Sequence, residues 1–204
     1  PSNPDILYVG SGEGLQRPDL SVGDGLYRSE DAGKTWVHLG LRDGQQIPAI
    51  AVDPRDPNRL FVAVLGHPYG ANTERGLYRS TNGGQSFERV LYRDENTGAT
   101  EVVFDPNDPN ILYASLWSGR QAPWEVNGSF EGPGSGLFKS TDGGTTWRQL
   151  SKGLPPNSGR IGFAIAPSDS NRIYAQVDGE KGGTYRSNDA GESWEMVNSE
   201  PRVW

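Results

Sequence analysis

Ser29–Trp36 reads SEDAGKTW, and the stretch returns three times, as STNGGQSF at Ser80–Phe87, STDGGTTW at Ser140–Trp147 and SNDAGESW at Ser187–Trp194. Each copy keeps a Ser, an acid or amide two residues on, Gly at the fifth position, Thr or Ser at the seventh and an aromatic at the eighth. A GLYRS-like segment always runs into the motif Ser: GLYRS at Gly25–Ser29 and Gly76–Ser80, GLFKS at Gly136–Ser140, GTYRS at Gly183–Ser187. A second apolar segment leaves from the aromatic, as in WVHL (Trp36–Leu39) or FERVL (Phe87–Leu91). The motif is therefore a hairpin connection. Gly33, Gly84, Gly144 and Gly191 fall where a tight turn needs positive φ, which Gly takes without steric cost. Asp31, Asn82, Asp142 and Asp189 are placed to accept backbone N–H bonds across the turn. Trp36, Phe87, Trp147 and Trp194 are expected to fold back over the hairpin and fill the gap beside the next unit. Asn82 decides the role of the set: an N–H acceptor survives Asp-to-Asn, whereas a catalytic carboxylate or hard-metal ligand loses its charge. These positions read as staples of the fold.

Outward from the motif, two further signals recur in fixed order. Apolar runs end at Pro in IAVDP (Ile50–Pro54), VVFDP (Val102–Pro106) and FAIAP (Phe163–Pro167). After an Asn- or Asp-containing turn come DILYVG (Asp5–Gly10), NRLFVAV (Asn58–Val64), NILYASL (Asn110–Leu116) and NRIYAQV (Asn171–Val177). Every segment is short, β-branched or aromatic, and bounded by Gly, Pro, Asn or Asp, which is strand chemistry. Motif serines stand 51, 60 and 47 residues apart, at positions 29, 80, 140 and 187. Four short strands in a unit of roughly 50 residues is the arithmetic of a β-propeller blade. A β-sandwich also predicts alternating strands, but not a four-part unit restarting in the same order. The expected fold is all-β, with blades of four antiparallel strands in units of roughly 1–46, 47–98, 99–157 and 158–204. The first unit begins at its second strand, and Pro201–Trp204 falls where a fifth inner strand would start. The expectation is a segment of a larger propeller, incomplete at both ends, closed by the remaining blades of the same protein or by another chain.

Composition narrows the partners. The 204 residues carry 19 Lys+Arg against 26 Asp+Glu, a formal net charge of −7. An acidic chain without a Lys/Arg run repels phosphate backbones, so no nucleic-acid partner is expected. No apolar run approaches the length of a membrane span. Cysteine is absent and there are two histidines, His38 and His67. Neither thiolate nor His-based metal binding is expected, and no cofactor is called for.

S-x-D-x-G-x-T-W resembles the Asp-box, or bacterial neuraminidase repeat, and the resemblance covers the whole chain. Asp-box propellers include sialidases, xyloglucanases, sortilin-type receptor ectodomains and photosystem II assembly propellers. The segments GEGLQRPDLSVGDGLYRSEDAGKTW, LGH, APW and GPGSGL look more closely like those of large secreted bacterial proteins of sortilin-like or glycosyl-hydrolase-like type. That likeness implies a secreted or periplasmic location. In sialidases the Asp-boxes lie away from the active site, in agreement with staples. The sialidase set of an arginine triad, a Tyr/Glu pair and an Asp cannot be picked out here. Xyloglucanases use two Asp across a cleft between two propellers, and a chain of this length offers at most one side. Matching the first unit to their pattern R-T-D-x-G-G-x-Y-R puts Val22 where their Asp falls.

A site is expected on the loops joining second to third strands, opposite the motif hairpins, because these loops are unequal on a regular scaffold. They are GSGEGLQRPDLSVGD (Gly10–Asp24), LGHPYGANTER (Leu65–Arg75), LWSGRQAPWEVNGSFEGPGS (Leu116–Ser135) and a short one between Val177 and Gly182. Trp117, Trp124 and Phe130 suit stacking on sugar rings or holding apolar peptide side chains. Glu13, Arg17, Asp19, His67, Arg75, Arg120 and Glu125 suit charge-assisted hydrogen bonds. The bland alternative is that the aromatics pack the loops, the charges are solvated, and His67 bonds to backbone. A glycosidase needs two carboxylates roughly 5–10 Å apart; Glu13 is the first candidate, with Asp19 or Glu125 as partner. The leading expectation is an extracellular propeller recognising a peptide or glycan through these loops. The alternatives are a glycoside hydrolase segment forming one wall of the cleft, and a non-catalytic assembly scaffold.

Overall fold

The structure is a computed structural model describing residues 3–14, 20–119 and 131–200. Its described strands form four antiparallel sheets in chain order, the pattern of consecutive propeller blades. The first holds β1 (Leu7–Gly10), β2 (Leu26–Ser29) and β3 (Val37–Gly40). The second holds β4 (Ala49–Val52), β5 (Leu60–Val64), β6 (Gly76–Ser80) and β7 (Glu88–Leu91). The third holds β8 (Gly98–Phe104), β9 (Leu112–Trp117), β10 (Gly136–Ser140) and β11 (Arg148–Leu150). The fourth holds β12 (Ile161–Ile165), β13 (Ile173–Val177), β14 (Gly183–Ser187) and β15 (Glu195–Asn198). A 3-10 turn at Arg42–Gly44 links the first two sheets. Among the described residues no helix is long and apolar enough to cross a membrane.

Register shows that the repeat is structural as well as textual. Ile50 lies opposite Val62, Val102 opposite Ala114 and Phe163 opposite Ala175, so the three runs ending before Pro are the first strands of their sheets. The motif joins the third strand to the fourth in each complete sheet, and β2 to β3 in the first. The N–H of the fourth motif residue bonds to the turn before the second strand: Ala32 to Asp5 O (3.0 Å), Gly83 to Asn58 O, Gly143 to Asn110 O and Ala190 to Asn171 O (2.9 Å each). This explains why the turn and the motif recur together.

A single short sheet cannot bury both faces, so the core lies between consecutive sheets. One apolar cluster joins Leu26 and Tyr8 of the first sheet to Leu60, Val62 and Phe87 of the second. The next joins Phe61 and Leu77 to Leu112, Leu116 and Trp147. The last joins Tyr113, Leu137 and Leu150 to Phe163, Tyr185 and Trp194. The motif aromatics thus pack on the preceding sheet, where the sequence suggested the next one. Each Trp also folds over its own turn: Trp36, Trp147 and Trp194 donate Nε1–H to the carbonyls of Gly33, Gly144 and Gly191 at 3.0, 3.2 and 3.1 Å.

Across each joint, donors of the earlier sheet reach the carbonyl of the fourth motif residue. Tyr8 O–H donates to Gly83 O at 3.1 Å. Arg59 and Arg79 donate to Gly143 O at 3.4 Å each, standing in where Phe61 has no hydroxyl. Tyr113 O–H and Lys139 Nζ both donate to Ala190 O at 2.9 Å. Burial raises the Tyr113 pKa, which keeps the hydroxyl protonated as a donor.

The fifth motif residue sits against the earlier sheet at positive φ. A Cβ on Gly144 (φ +85°) would come within 2.4 Å of the Phe61 ring, whereas on Gly33 (φ +86°) the nearest atom lies 3.5 Å away. Gly33→Ala therefore meets backbone strain alone, roughly 1 kcal/mol, and Gly144→Ala meets strain plus overpacking, roughly 3 kcal/mol. Urea unfolding of the two variants checks this, and equal losses would show that the joint does not demand the glycine.

Candidate functional site

The repeated motif acids are exposed, yet their oxygens are engaged. Asp31 Oδ1 accepts the Thr35 N–H at 2.8 Å and Oδ2 its hydroxyl at 2.7 Å. Asp142 does the same with Thr146, at 2.9 and 2.6 Å, and Asp189 with Ser193, at 2.9 and 2.5 Å. Asn82 keeps the N–H bond from Ser86 (3.0 Å) and reverses the second, donating Nδ2–H to Ser86 Oγ at 2.8 Å. In every copy the motif Ser donates to the acid or amide and accepts the fifth-position Gly N–H. The N–H and hydroxyl bonds from Thr35 hold Asp31 down at about 2, and those from Ser193 hold Asp189 at about 2. The Thr146 hydroxyl and N–H depress Asp142 further. Such carboxylates are poor proton carriers near neutrality. Among the described residues no group of three or more His, Cys, Asp or Glu is arranged to hold a metal ion.

The opposite ends of the sheets carry the unequal loops. The first is pinned by Ser11, whose Oγ accepts the N–H groups of Asp24 and Gly25 at 2.8 and 2.9 Å. Tyr27 O–H donates to the Asp24 carboxylate at 2.8 Å, and this bond foremost lowers the Asp24 pKa. Glu13 is half-buried and its N–H bonds to Ser21 O at 3.2 Å. Val22 is exposed on the same loop. In the second loop the His67 ring lies 3.0 Å from Asp43 Oδ1, and its N–H bonds to Asn72 Oδ1 at 3.1 Å.

Two residues expected on the binding surface lie inside. Arg75 is fully buried, and its guanidinium donates to the carbonyls of Leu65 (2.7 Å), His67 (2.6 Å), Gly70 (3.0 Å) and Gly119 (3.2 Å). It ties the second loop together and anchors it to the base of the third, because a buried guanidinium must satisfy its donors and loop carbonyls offer acceptors. Trp117 ends β9 and is 3% exposed, so its ring packs rather than stacks on a ligand. Arg17, Asp19, Arg120, Trp124, Glu125 and Phe130 lie outside the described residues.

Four ionisable groups absent from the expected set meet where the third and fourth sheets join. Glu101, on β8, accepts the Phe163 N–H of β12 at 3.2 Å. Burial raises its pKa, and the charge of Arg160, just before β12, works in the opposite sense. Asp178 directly follows β13, exchanging backbone bonds with Gly159 (2.8 Å) and Arg160 (3.0 Å). Burial also raises the Asp178 pKa, and the charge of Glu131 adds to it. Glu131, at the end of the third loop, accepts the Glu180 N–H of the fourth. This half-buried group of three carboxyls and one guanidinium is suited to hydrogen-bonding a polyhydroxylated or cationic ligand. The rule that singled out Glu13, an acid following a second strand, also finds Asp178. Nothing local marks Glu101, Arg160 or Glu131, which are brought together by packing between sheets.

Two outcomes follow. Arg75→Ala should cost on the order of 3 kcal/mol in urea unfolding, since buried carbonyls lose charged donors worth about 1–3 kcal/mol each, and Arg75→Lys should not restore it because a point charge cannot span the carbonyls. Asp31, Asp142 and Asp189 titrate below the ordinary carboxylate value of about 3.9. Their contribution to stability is present above that value and is lost as pH falls toward about 2. Melting temperatures between pH 5 and 2 should fall less steeply for Asp189→Asn than for the parent chain.

Comparison with known proteins places this geometry. Over 226 residues the chain is 28% identical to a xyloglucanase from a Paenibacillus species, covering 97% of this chain and 21% of that protein. It is 30% identical over 217 residues to the oligoxyloglucan-reducing end-specific xyloglucanase of Emericella nidulans, covering 100% of this chain and 24% of that protein. The chain thus spans less than a quarter of the length of these relatives. The crystal structure of a Niastella koreensis GH74 enzyme superposes with a TM-score of 0.66 at 23% identity, covering 97% of this chain and 28% of that one, a likeness of fold. YCF48 from Cyanidioschyzon merolae shares the fold at a TM-score of 0.52 and 15% identity, covering 90% of this chain and 53% of that one. The family model for Sortilin-Vps10 (sortilin, neurotensin receptor 3) matches residues 24–153, a span holding three of the four hairpin motifs. With more than half its length so matched, the chain belongs to the Sortilin-Vps10 family of β-propellers.

Proposed function

We propose that this chain forms one wall of a glycan-binding cleft, for a polysaccharide of xyloglucan type, in a propeller working outside the cytoplasm. The observation carrying this reading is that six xyloglucanases match over 97–100% of the chain. The loop face supports it, with Asp178, Glu131 and the Glu101–Arg160 pair where sugar hydroxyls need charged hydrogen-bond partners. Arg17, Asp19, Arg120, Trp124 and Glu125 are proposed from the sequence to extend the same surface. The chain's role is to hold substrate: Val22 occupies the xyloglucanase Asp position, and a glycosidase needs two facing carboxylates. Glu13 and Asp178 are the residues from which this wall would offer one of them.

Affinity electrophoresis in gels cast with xyloglucan tests the reading, paired with an assay for released reducing sugar. Retarded migration without sugar release is expected, and the double variant Glu131→Gln, Asp178→Asn should weaken retention by about tenfold, or ~1.4 kcal/mol. Migration identical with and without the polysaccharide would overturn it. Sugar release by the chain that disappears in Glu13→Gln would make it catalytic instead.

Peptide recognition is the second reading, favoured by the Sortilin-Vps10 match over residues 24–153. A peptide array bound by a chain that ignores xyloglucan would support it.

A further inference from the structure

Each joint between sheets is built from the same parts. The earlier sheet offers an aromatic on its second strand, a cation opposite it on the third strand and an aliphatic residue on the fourth. These are Tyr8, Arg28 and Leu39 in the first sheet; Phe61, Arg79 and Val90 in the second; Tyr113, Lys139 and Leu150 in the third. The later sheet offers the fourth and fifth motif residues. At the three joints Phe61 and Tyr113 are fully buried, Leu150 is 3% exposed, and Gly83, Gly84, Gly143, Gly144 and Gly191 are buried.

The fourth sheet has the same set, Tyr174, Arg186 and Val197, in the same register, with Tyr174 opposite Arg186. Here Tyr174 is 41% and Val197 43% exposed. On the first sheet the complementary half is open: Ala32 is exposed, Gly33 half-buried and Trp36 40% exposed, against 6% for Trp194. One molecule therefore presents both halves of a fourth joint, one on its first sheet and the other on its last.

Charge makes the two halves specific for each other. At the third joint the sixth motif residue, Glu192, pairs with Arg148 at the start of the preceding fourth strand. The equivalent positions at the open ends are Lys34 and Glu195, opposite in sign and both exposed.

We propose that the face of the fourth sheet docks the first motif hairpin of a second copy of this chain, head to tail. Tyr174 and Arg186 then donate to the Ala32 carbonyl, Val197 is covered by Gly33 and Trp36, and Lys34 pairs with Glu195. The contact is heterologous, so copies join into a ring or a longer row, and mass rises with concentration.

Sedimentation equilibrium of the 204-residue chain between about 1 and 200 μM reads this directly, a range set by ordinary micromolar association. The expected result is a weight-average mass rising above 22.2 kDa with concentration. Lys34→Glu and Glu195→Lys should each weaken association by roughly tenfold, an attraction being replaced by a repulsion. The double variant should recover it. These side chains are exposed, and circular dichroism confirms that each variant is folded. A mass fixed at 22.2 kDa across the range, single variants that associate like the parent, or a double variant that fails to recover would each overturn the proposal. The glycan reading stands or falls separately, since it concerns the opposite ends of the strands.

Discussion

A single backbone carbonyl in each motif, that of its fourth residue, carries the polar contact between consecutive sheets. It receives Tyr8 at the first joint, Arg59 and Arg79 at the second, and Tyr113 with Lys139 at the third. The carbonyl is available because the turn holds itself by other means. Ser Oγ and the acid or amide satisfy the inner N–H groups, and the fourth residue's own N–H is bonded to the preceding turn. A hairpin rigid enough to need nothing from its neighbour can be used as a building block by that neighbour.

This division of labour frees the opposite ends of the strands. Loops there vary in length without disturbing the joints, as repeat architectures allow, because each unit contacts only its neighbours. They are nevertheless anchored. Ser11 closes the base of the first loop, and Arg75 gathers the second and ties it to the third. A binding face held in this way loses little freedom on meeting a ligand, which favours affinity.

Membership of the Sortilin-Vps10 family and likeness to xyloglucanases together describe a scaffold used for more than one purpose, and fold alone does not choose between them. What distinguishes this chain is local. Val22 takes the place of an acid, while Asp178, Glu131 and Glu101 gather at the joint of the third and fourth sheets. Their raised pKa values come from burial, so they owe their character to the packing of sheets.

The sequence by itself determined the all-β class, the order of strands within each sheet and the structural character of the motif. Those properties are written in short-range patterns: Gly at a fixed turn position, Asn before a strand, apolar runs ended by Pro. Each appears several times, so the repeats corroborate one another. Tertiary structure alone decided which loop residues face outward. Arg75 looks like a surface cation until the carbonyls of Leu65, His67, Gly70 and Gly119 are seen to converge on it. Trp117 reads as a loop aromatic but lies at the buried end of β9. Glu101 and Arg160 belong to different units and become neighbours because β8 and β12 are adjacent first strands. Burial and pairing across a joint depend on how successive sheets are stacked, and no local pattern encodes that distance.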